Sequence, residues 1–189
     1  MTSVLLVSNT NTTLQLLSSF MTEQSISRLV TSTDGASARR EILDTDFDLI
    51  IIDSPLKDEL GVNFALDAAD KTTSGIIYVT KYENLYDANE ELEDGGVFVL
   101  PKPISPELFY QAIRLLTASR RRVLKLEEEN NKLQNKIEEI KLVNRAKCVL
   151  IQYLSMSEDQ AHRHIEKQAM DLRVSRKKVA ERILIRYES

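Results

Sequence analysis

The chain has 189 residues, 42% of them hydrophobic and 29% charged, enough apolar mass to fold and enough length for one large domain or two small ones. No apolar run reaches the length of a membrane span, and Met1 to Thr10 lacks the basic start and cleavage pattern of a signal peptide, so no membrane partner and a cytoplasmic location are expected. The single cysteine, Cys148, excludes an internal disulfide framework and a cysteine-based zinc cluster, and two histidines, His162 and His164, are too few for a metal site on their own.

The net charge of −4 conceals a polarity. Residues 1–110 hold 7 basic and 18 acidic side chains, a balance of −11, whereas residues 111–140 stand at +2 and residues 141–189 at +5. The acidic front is ill-suited to polyanions, and the basic end attracts phosphate backbones.

In chain order, Ser3 to Val7 reads as a buried strand that runs into the polar Ser8-Asn9-Thr10. Leu14, Leu16, Leu17 and Phe20 are at helical spacing over Thr12 to Met21. Ser27 to Thr31 is a weaker strand, Asp34-Gly35 a turn and Ser37 to Leu43 a short helix. Asp48 to Asp53 is a β-branched run ending in a carboxylate, and Gly61 to Asp70 is a helix. Gly75 to Thr80 is a strand, Tyr86 to Leu92 a short helix, and Gly96 to Leu100 the last strand, stopped by Pro101-Lys102-Pro103. Ser105-Pro106-Glu107 opens a helix, with Ser as cap and Pro in the first turn. Five unalternating apolar strands interleaved with helices predict an α/β, flavodoxin-like, doubly wound parallel sheet over residues 1–118, covered on both faces. The loops at the carboxyl ends of such strands form the site, and Ser8-Asn9, Asp53, Thr80 and Lys102 all fall on that edge.

From Leu116 the pattern becomes a heptad, with Leu116, Val123, Asn130 and Ile137 at a and Ser119, Leu126, Leu133 and Ile140 at d. No Pro or Gly follows Pro106, so a single long helix is predicted. Val and Ile at a with Leu at d favour a parallel two-stranded coil, with Asn130 fixing its register. Val123, Leu126, Asn130, Leu133, Ile137 and Ile140 are the expected homodimer contacts, in a coil over residues 119–143. Residues 144–189 then predict a small three-helix domain: about Arg145 to Leu154, Ser157 to Leu172 and Ser175 to Arg186, with Ser157 and Ser175 as N-caps. Its expected core includes Val149, Leu150, Tyr153, Ala161, Ile165, Ala169, Met170, Leu172, Val179, Ile183 and Leu184.

Asp53, Thr80 and Lys102-Pro103 on this alternating pattern resemble the receiver domain of two-component response regulators. The resemblance implies that Asp53 is the phosphoacceptor, its exposed carboxylate attacking a phosphoryl donor, with Lys102 and Thr80 contacting phosphoryl oxygens and a sensor kinase or a sequestering protein as partner. The chain departs from the pattern twice. Ser8 and Asn9 stand where the family has an acidic pair for Mg²⁺, so weak Mg²⁺ binding at Asp53 and inefficient phosphorylation are expected. Val99 stands where the family has its switch aromatic, with Phe98 on the opposite face.

Arg145-Ala146-Lys147, the run Ala161 to Met170, and Val179-Ala180-Glu181-Arg182-Ile183 resemble the ANTAR domain of AmiR- and NasR-type transcription antiterminators. That resemblance implies a dimer that captures RNA hairpins in a leader transcript, without catalysis. Arg145, Lys147, Arg163, Arg173, Arg176, Lys177 and Lys178 would supply charge, and His162 would stack in place of a family tyrosine. Ile165-Glu166 replaces the family's Leu-Arg, putting a negative charge where a basic contact is expected. A DNA-binding regulator using the last two helices as a helix-turn-helix, and a protein-interaction module that has lost nucleic-acid binding, are the alternatives.

Overall fold

A computed structural model describes residues 2–21 and 26–188. Five strands, β1 (Thr2–Ser8), β2 (Ile26–Ser32), β3 (Leu49–Asp53), β4 (Gly75–Lys81) and β5 (Phe98–Lys102), form one parallel sheet in the order β2-β1-β3-β4-β5. Helices α1 (Asn11–Met21), α2 (Gly35–Asp44), α3 (Val62–Lys71) and α4 (Leu85–Leu92) alternate with them, and a short 3₁₀ turn, Tyr82–Asn84, precedes α4. Then come α5 (Pro106–Leu154), α6 (Glu158–Leu172) and α7 (Arg176–Glu188). The chain divides into two compact units, Met1–Lys125 and Leu126–Ser189.

The unbroken apolar runs are explained by two cores, one on each face of the sheet. Side chains alternate along every strand, so Leu5, Val7, Ile50 and Ile52 join Phe64, Ala65, Ala88 and Leu92, the face of α2 to α4. Val4, Leu6, Leu49 and Ile51 join Leu17, Met21, Phe109 and Ile113, the face of α1 and α5. Truncating a fully buried member such as Ile51 to Ala costs about 2–5 kcal/mol.

Strand β5 departs from expectation. It continues through Pro101 and Lys102, pairing Thr80 with Pro101 and Lys81 with Lys102. An edge strand tolerates a residue without an N–H on its open side, so Pro101 does not end it. Its start lies later than Gly96, because that glycine sits at φ +66° in the turn closing α4, where the Gly96 N–H donates to the Glu93 carbonyl.

Asp34 is the N-cap of α2 rather than part of a free turn, accepting from the Ser37 N–H at 2.7 Å. Asp58, from the loop after β3, accepts from the N–H groups of Gly35 (2.8 Å) and Ala36 (3.1 Å) on the same helix end. These backbone bonds hold both carboxyls below their ordinary range. Arg39 pairs with Glu59 and, at 2.8 Å, with Asp67, which also receives Lys71 at 2.9 Å, so the loop leaving Asp53 is tied to α2 and α3.

The segment Arg145 to Leu154, expected as a separate helix, is the end of α5. With no Pro or Gly to interrupt it, the helix runs to Leu154 and stops where Ser155 turns left-handed at φ 53°. In the second unit, Val143, Ala146, Val149 and Leu150 of α5 pack on Ala161, Ile165 and Ala169 of α6 and on Val179, Ala180, Ile183 and Leu184 of α7. Ser157 caps α6 in a capping box with Gln160. Ser175 caps α7, its Oγ accepting from the Lys178 N–H at 3.3 Å. Three expected core positions are on the surface: Met170 (78% exposed), Tyr153 and Leu172. The core of this unit takes one stripe from α6, spaced by four residues through positions 161, 165 and 169, and Met170 lies about 100° round the helix from it.

Candidate functional site

The order β2-β1-β3 reverses direction at β1, and its crevice lies beside the carboxyl ends of β1 and β3. The register opposes Ser8 to Asp53 there. Ser8 is fully buried and Asp53 is 2% exposed, so the carboxylate is enclosed, in contrast to the exposed nucleophile expected from sequence. The Ser8 hydroxyl donates to Asp53 Oδ2 at 2.7 Å. Lys102 Nζ stands 2.6 Å from Oδ1 and donates to the Ser54 carbonyl at 2.7 Å. Thr80 is buried at the end of β4, on the same edge, and among the described residues it makes no side-chain hydrogen bond to Asp53. Asn9 is exposed. Val99 packs with the α2–α4 core and Phe98 with the other, as strand alternation requires. The sequence marked Ser8 as a missing acid; it did not reveal that the hydroxyl binds Asp53, which follows only from the strand register.

On α5, Leu116 is packed into the second core, and a Cβ on Gly75 would come within 2.8 Å of Leu116 Cβ. The heptad positions after it are open: Val123, Leu126, Leu133, Ile137 and Ile140 are 42–62% exposed, and Asn130 is exposed among them.

The helical unit sorts the expected RNA-contacting residues into two groups. Lys147 Nζ pairs with Glu158 at 2.9 Å, Arg176 Nε with Glu139 at 3.3 Å, and Lys177 Nζ with Glu138 at 3.0 Å. The Lys147 bond lowers the Glu158 carboxyl, and Glu138 raises the Lys177 ammonium. Glu166 Oε1 lies 3.2 Å from His162 Nε2 and 3.7 Å from Arg176 Nη1. Arg163, Arg173 and Lys178 are exposed and form no side-chain ion pair among the described residues; Arg145 is also exposed. Arg173 sits at φ 51°, the left-handed cap of α6. The pairs of Arg176 with Glu139 and of Lys177 with Glu138 join positions 37 and 39 residues apart, which sequence spacing does not show. The i,i+4 spacing of His162 and Glu166 is a signal that could have shown their pair.

The response regulator receiver domain family matches residues 4–114. The chain belongs to that family. The ANTAR domain matches residues 131–184, so this response regulator joins a receiver to an ANTAR domain. The transcriptional regulatory protein PdtaR of Mycobacterium tuberculosis is 34% identical over 138 residues, covering 72% of this chain and 67% of that protein. Among solved structures, a receiver domain protein from Clostridium thermocellum aligns with TM-score 0.59 at 18% identity, over 66% of this chain and 99% of that one. A two-component response regulator from Clostridium difficile aligns with TM-score 0.53 at 23% identity, over 61% and 95%. These two likenesses concern the fold.

This response regulator is therefore a regulator and not an enzyme. Receivers imply Mg²⁺, and the donor set here does not suit it. Mg²⁺ favours carboxylate and water oxygens in an octahedron. The crevice supplies one carboxylate, already bonded to Ser8 and Lys102, and among the described residues no group of three His, Cys, Asp or Glu is placed to hold a metal ion. No helix among the described residues is long and apolar enough to cross a membrane.

Proposed function

We propose that this response regulator is a cytoplasmic, signal-responsive transcription antitermination factor that binds RNA stem-loops as a homodimer. The work is divided among a receiver over residues 1–118, a coil over 119–143 and an RNA-binding domain over 144–189. Its support is the succession of receiver, exposed heptad stripe and ANTAR domain in one chain. The stripe is the observation that carries the dimer: five half-exposed apolar side chains along one line of a helix bury their surface against a second copy. RNA contact falls to Arg145, Lys147, His162, Arg163, Arg173, Arg176, Lys177 and Lys178, with phosphates on the cations.

In the receiver, Asp53 is a poor phosphoacceptor. Its two oxygens are occupied by Ser8 and Lys102, and Ser8 and Asn9 do not replace the acids that would hold Mg²⁺. The receiver works as a scaffold whose carboxyl-end loops, with Thr80 and Lys102, answer a protein partner, whether a sensor kinase or a sequestering protein.

A gel shift at one stated salt concentration, with paired RNA stem-loops against promoter DNA duplex, tests the output. Binding to stem-loops over duplex is expected. Tight duplex binding with none to stem-loops would replace this function with DNA regulation, and binding to neither would leave a protein-interaction module, the outcome that Glu166 favours by neutralising Arg176.

A further inference from the structure

Tyr153, Tyr187, Arg182 and Arg186, all in the second unit, have no part in the RNA contacts proposed above. Tyr153, near the end of α5, lies against Tyr187, near the end of α7, with ring centroids 5.7 Å apart and planes 32° from parallel. Tyr187 packs on the core, whereas Tyr153 keeps 56% of its surface in solvent. The Arg186 guanidinium sits 5.9 Å from the Tyr187 ring centroid. Lys178, Arg182 and Arg186 follow one another at four-residue spacing and form one exposed stripe on α7 that runs to the tyrosines. None of the three forms a side-chain ion pair among the described residues, whereas Lys147, Arg176 and Lys177 each have a carboxylate. The acid within the stripe's span, Glu181, acts on Lys177.

We propose that this face is a stacking platform for an unpaired RNA base: the base lies on the Tyr153 ring, and Arg186, Arg182 and Lys178 take the flanking phosphates. The inference rests on the RNA-binding function proposed above and names the part of the RNA that the unit reads. An exposed ring beside a cation fits a base, whose own π-face stacks in any sequence, and uncompensated charge in line with it fits a polyanion. A loop nucleotide satisfies both demands, since bases within an RNA helix are already stacked.

The chain contains no tryptophan, so Tyr153→Trp creates a single indole at the platform. The test uses the full chain and a pool of tandem RNA stem-loops with randomised loops, with the same stems as blunt duplex for comparison. Stem-loops should quench the indole and duplex should not. Tyr153→Ala should weaken stem-loop binding about 5- to 100-fold, with Tyr153→Phe within about 2-fold of wild type. Arg182→Ala with Arg186→Ala should lower the slope of log affinity against log salt by about 1.4. If alanine unfolds the unit, the Trp variant still reads the stacking. An indole unmoved by stem-loops that bind, equal quenching by duplex, or full affinity in a folded Tyr153→Ala chain overturns the platform alone. Wild-type chain that binds no stem-loop overturns the RNA function with it.

Discussion

Replacing Lys102 with Met measures how firmly the receiver crevice is closed. Asp53 is 2% exposed, and its Oδ1 has the Lys102 ammonium at 2.6 Å and no hydrogen-bond partner. Removing one member of a buried ion pair costs about 3–5 kcal/mol, because the survivor is left charged and dry. The Lys102 side chain is 32% exposed, so water reaches this pair from one side and the lower end applies, about 3 kcal/mol. At a urea m-value of about 1–3 kcal/mol/M that is a fall of about 1–3 M in the midpoint. Asp53→Asn in the Lys102→Met background removes the stranded charge, and the double variant should recover about 2 kcal/mol relative to additive losses. The full chain has two units, so unfolding is followed by hydrogen exchange in β3 and β4. Unchanged protection in Lys102→Met, or strict additivity in the double variant, would refute the argument that charge pairing holds the crevice.

Incubation with a small phosphodonor and Mg²⁺ should leave the wild-type chain unlabelled, and Ser8→Asp with Asn9→Asp should produce labelling that Asp53→Ala abolishes; rapid stoichiometric labelling of wild type contradicts the occupied-site argument. Leu133→Ala removes a side chain that is 62% exposed in the single chain, from both partners at once; at about 1–1.5 kcal/mol per chain the dimer should weaken about 30- to 150-fold in sedimentation equilibrium, and an unshifted profile places the stripe outside the interface. Asp34 and Asp58 have folded pKa values below the ordinary 3.8. Their contribution is complete above that value and is lost as pH falls through the folded pKa values, so amide protection factors at the start of α2, corrected for the intrinsic pH dependence of exchange, should stay constant down to about pH 4 and fall below it. Glu166→Gln removes one of the two carboxylates on Arg176 and leaves Glu139, a partly exposed contact worth about 0–1 kcal/mol, so stem-loop affinity should rise by up to about 5-fold and should not fall; weaker binding would show that Glu166 itself serves the RNA contact.

The sheet was legible because burial on both faces leaves a signal in consecutive residues: Leu49 to Ile52 has no polar interruption. The shared edge of Asp53, Thr80 and Lys102 was legible because each stands at or one residue before the end of a strand, and parallel strands put their carboxyl ends on one edge. Three things were hidden. The bond from Ser8 to Asp53 depends on which strands are neighbours and on their register, neither of which is written in either strand alone. Met170 was misplaced because apolar character predicts burial only where a second surface exists to cover it, and α6 is covered along one stripe. The boundary at Asn144 was a motif boundary with no helix-breaking residue, and α5 passes through it.

Both candidate sites have some of their charges answered from within the chain, but at different cost to a competitor. Lys147, Arg176 and Lys177 pair with carboxylates whose side chains are 30–74% exposed. An exposed pair contributes about 0–1 kcal/mol, so an RNA phosphate that takes all three cations gives up no more than about 3 kcal/mol. Arg163, Arg173, Lys178, Arg182 and Arg186 are taken at no such cost. Asp53 is the opposite case: its carboxylate is buried, with the one-third-exposed Lys102 ammonium against it. The exposed pairs of the helical unit therefore yield to a competitor at less cost than the Asp53–Lys102 pair. In the homodimer proposed above, the step that would bring two RNA-binding units together is the pairing of the heptad stripe. There, linking two contacts on one transcript raises their joint affinity by about 10²–10⁴ without any new bond to RNA.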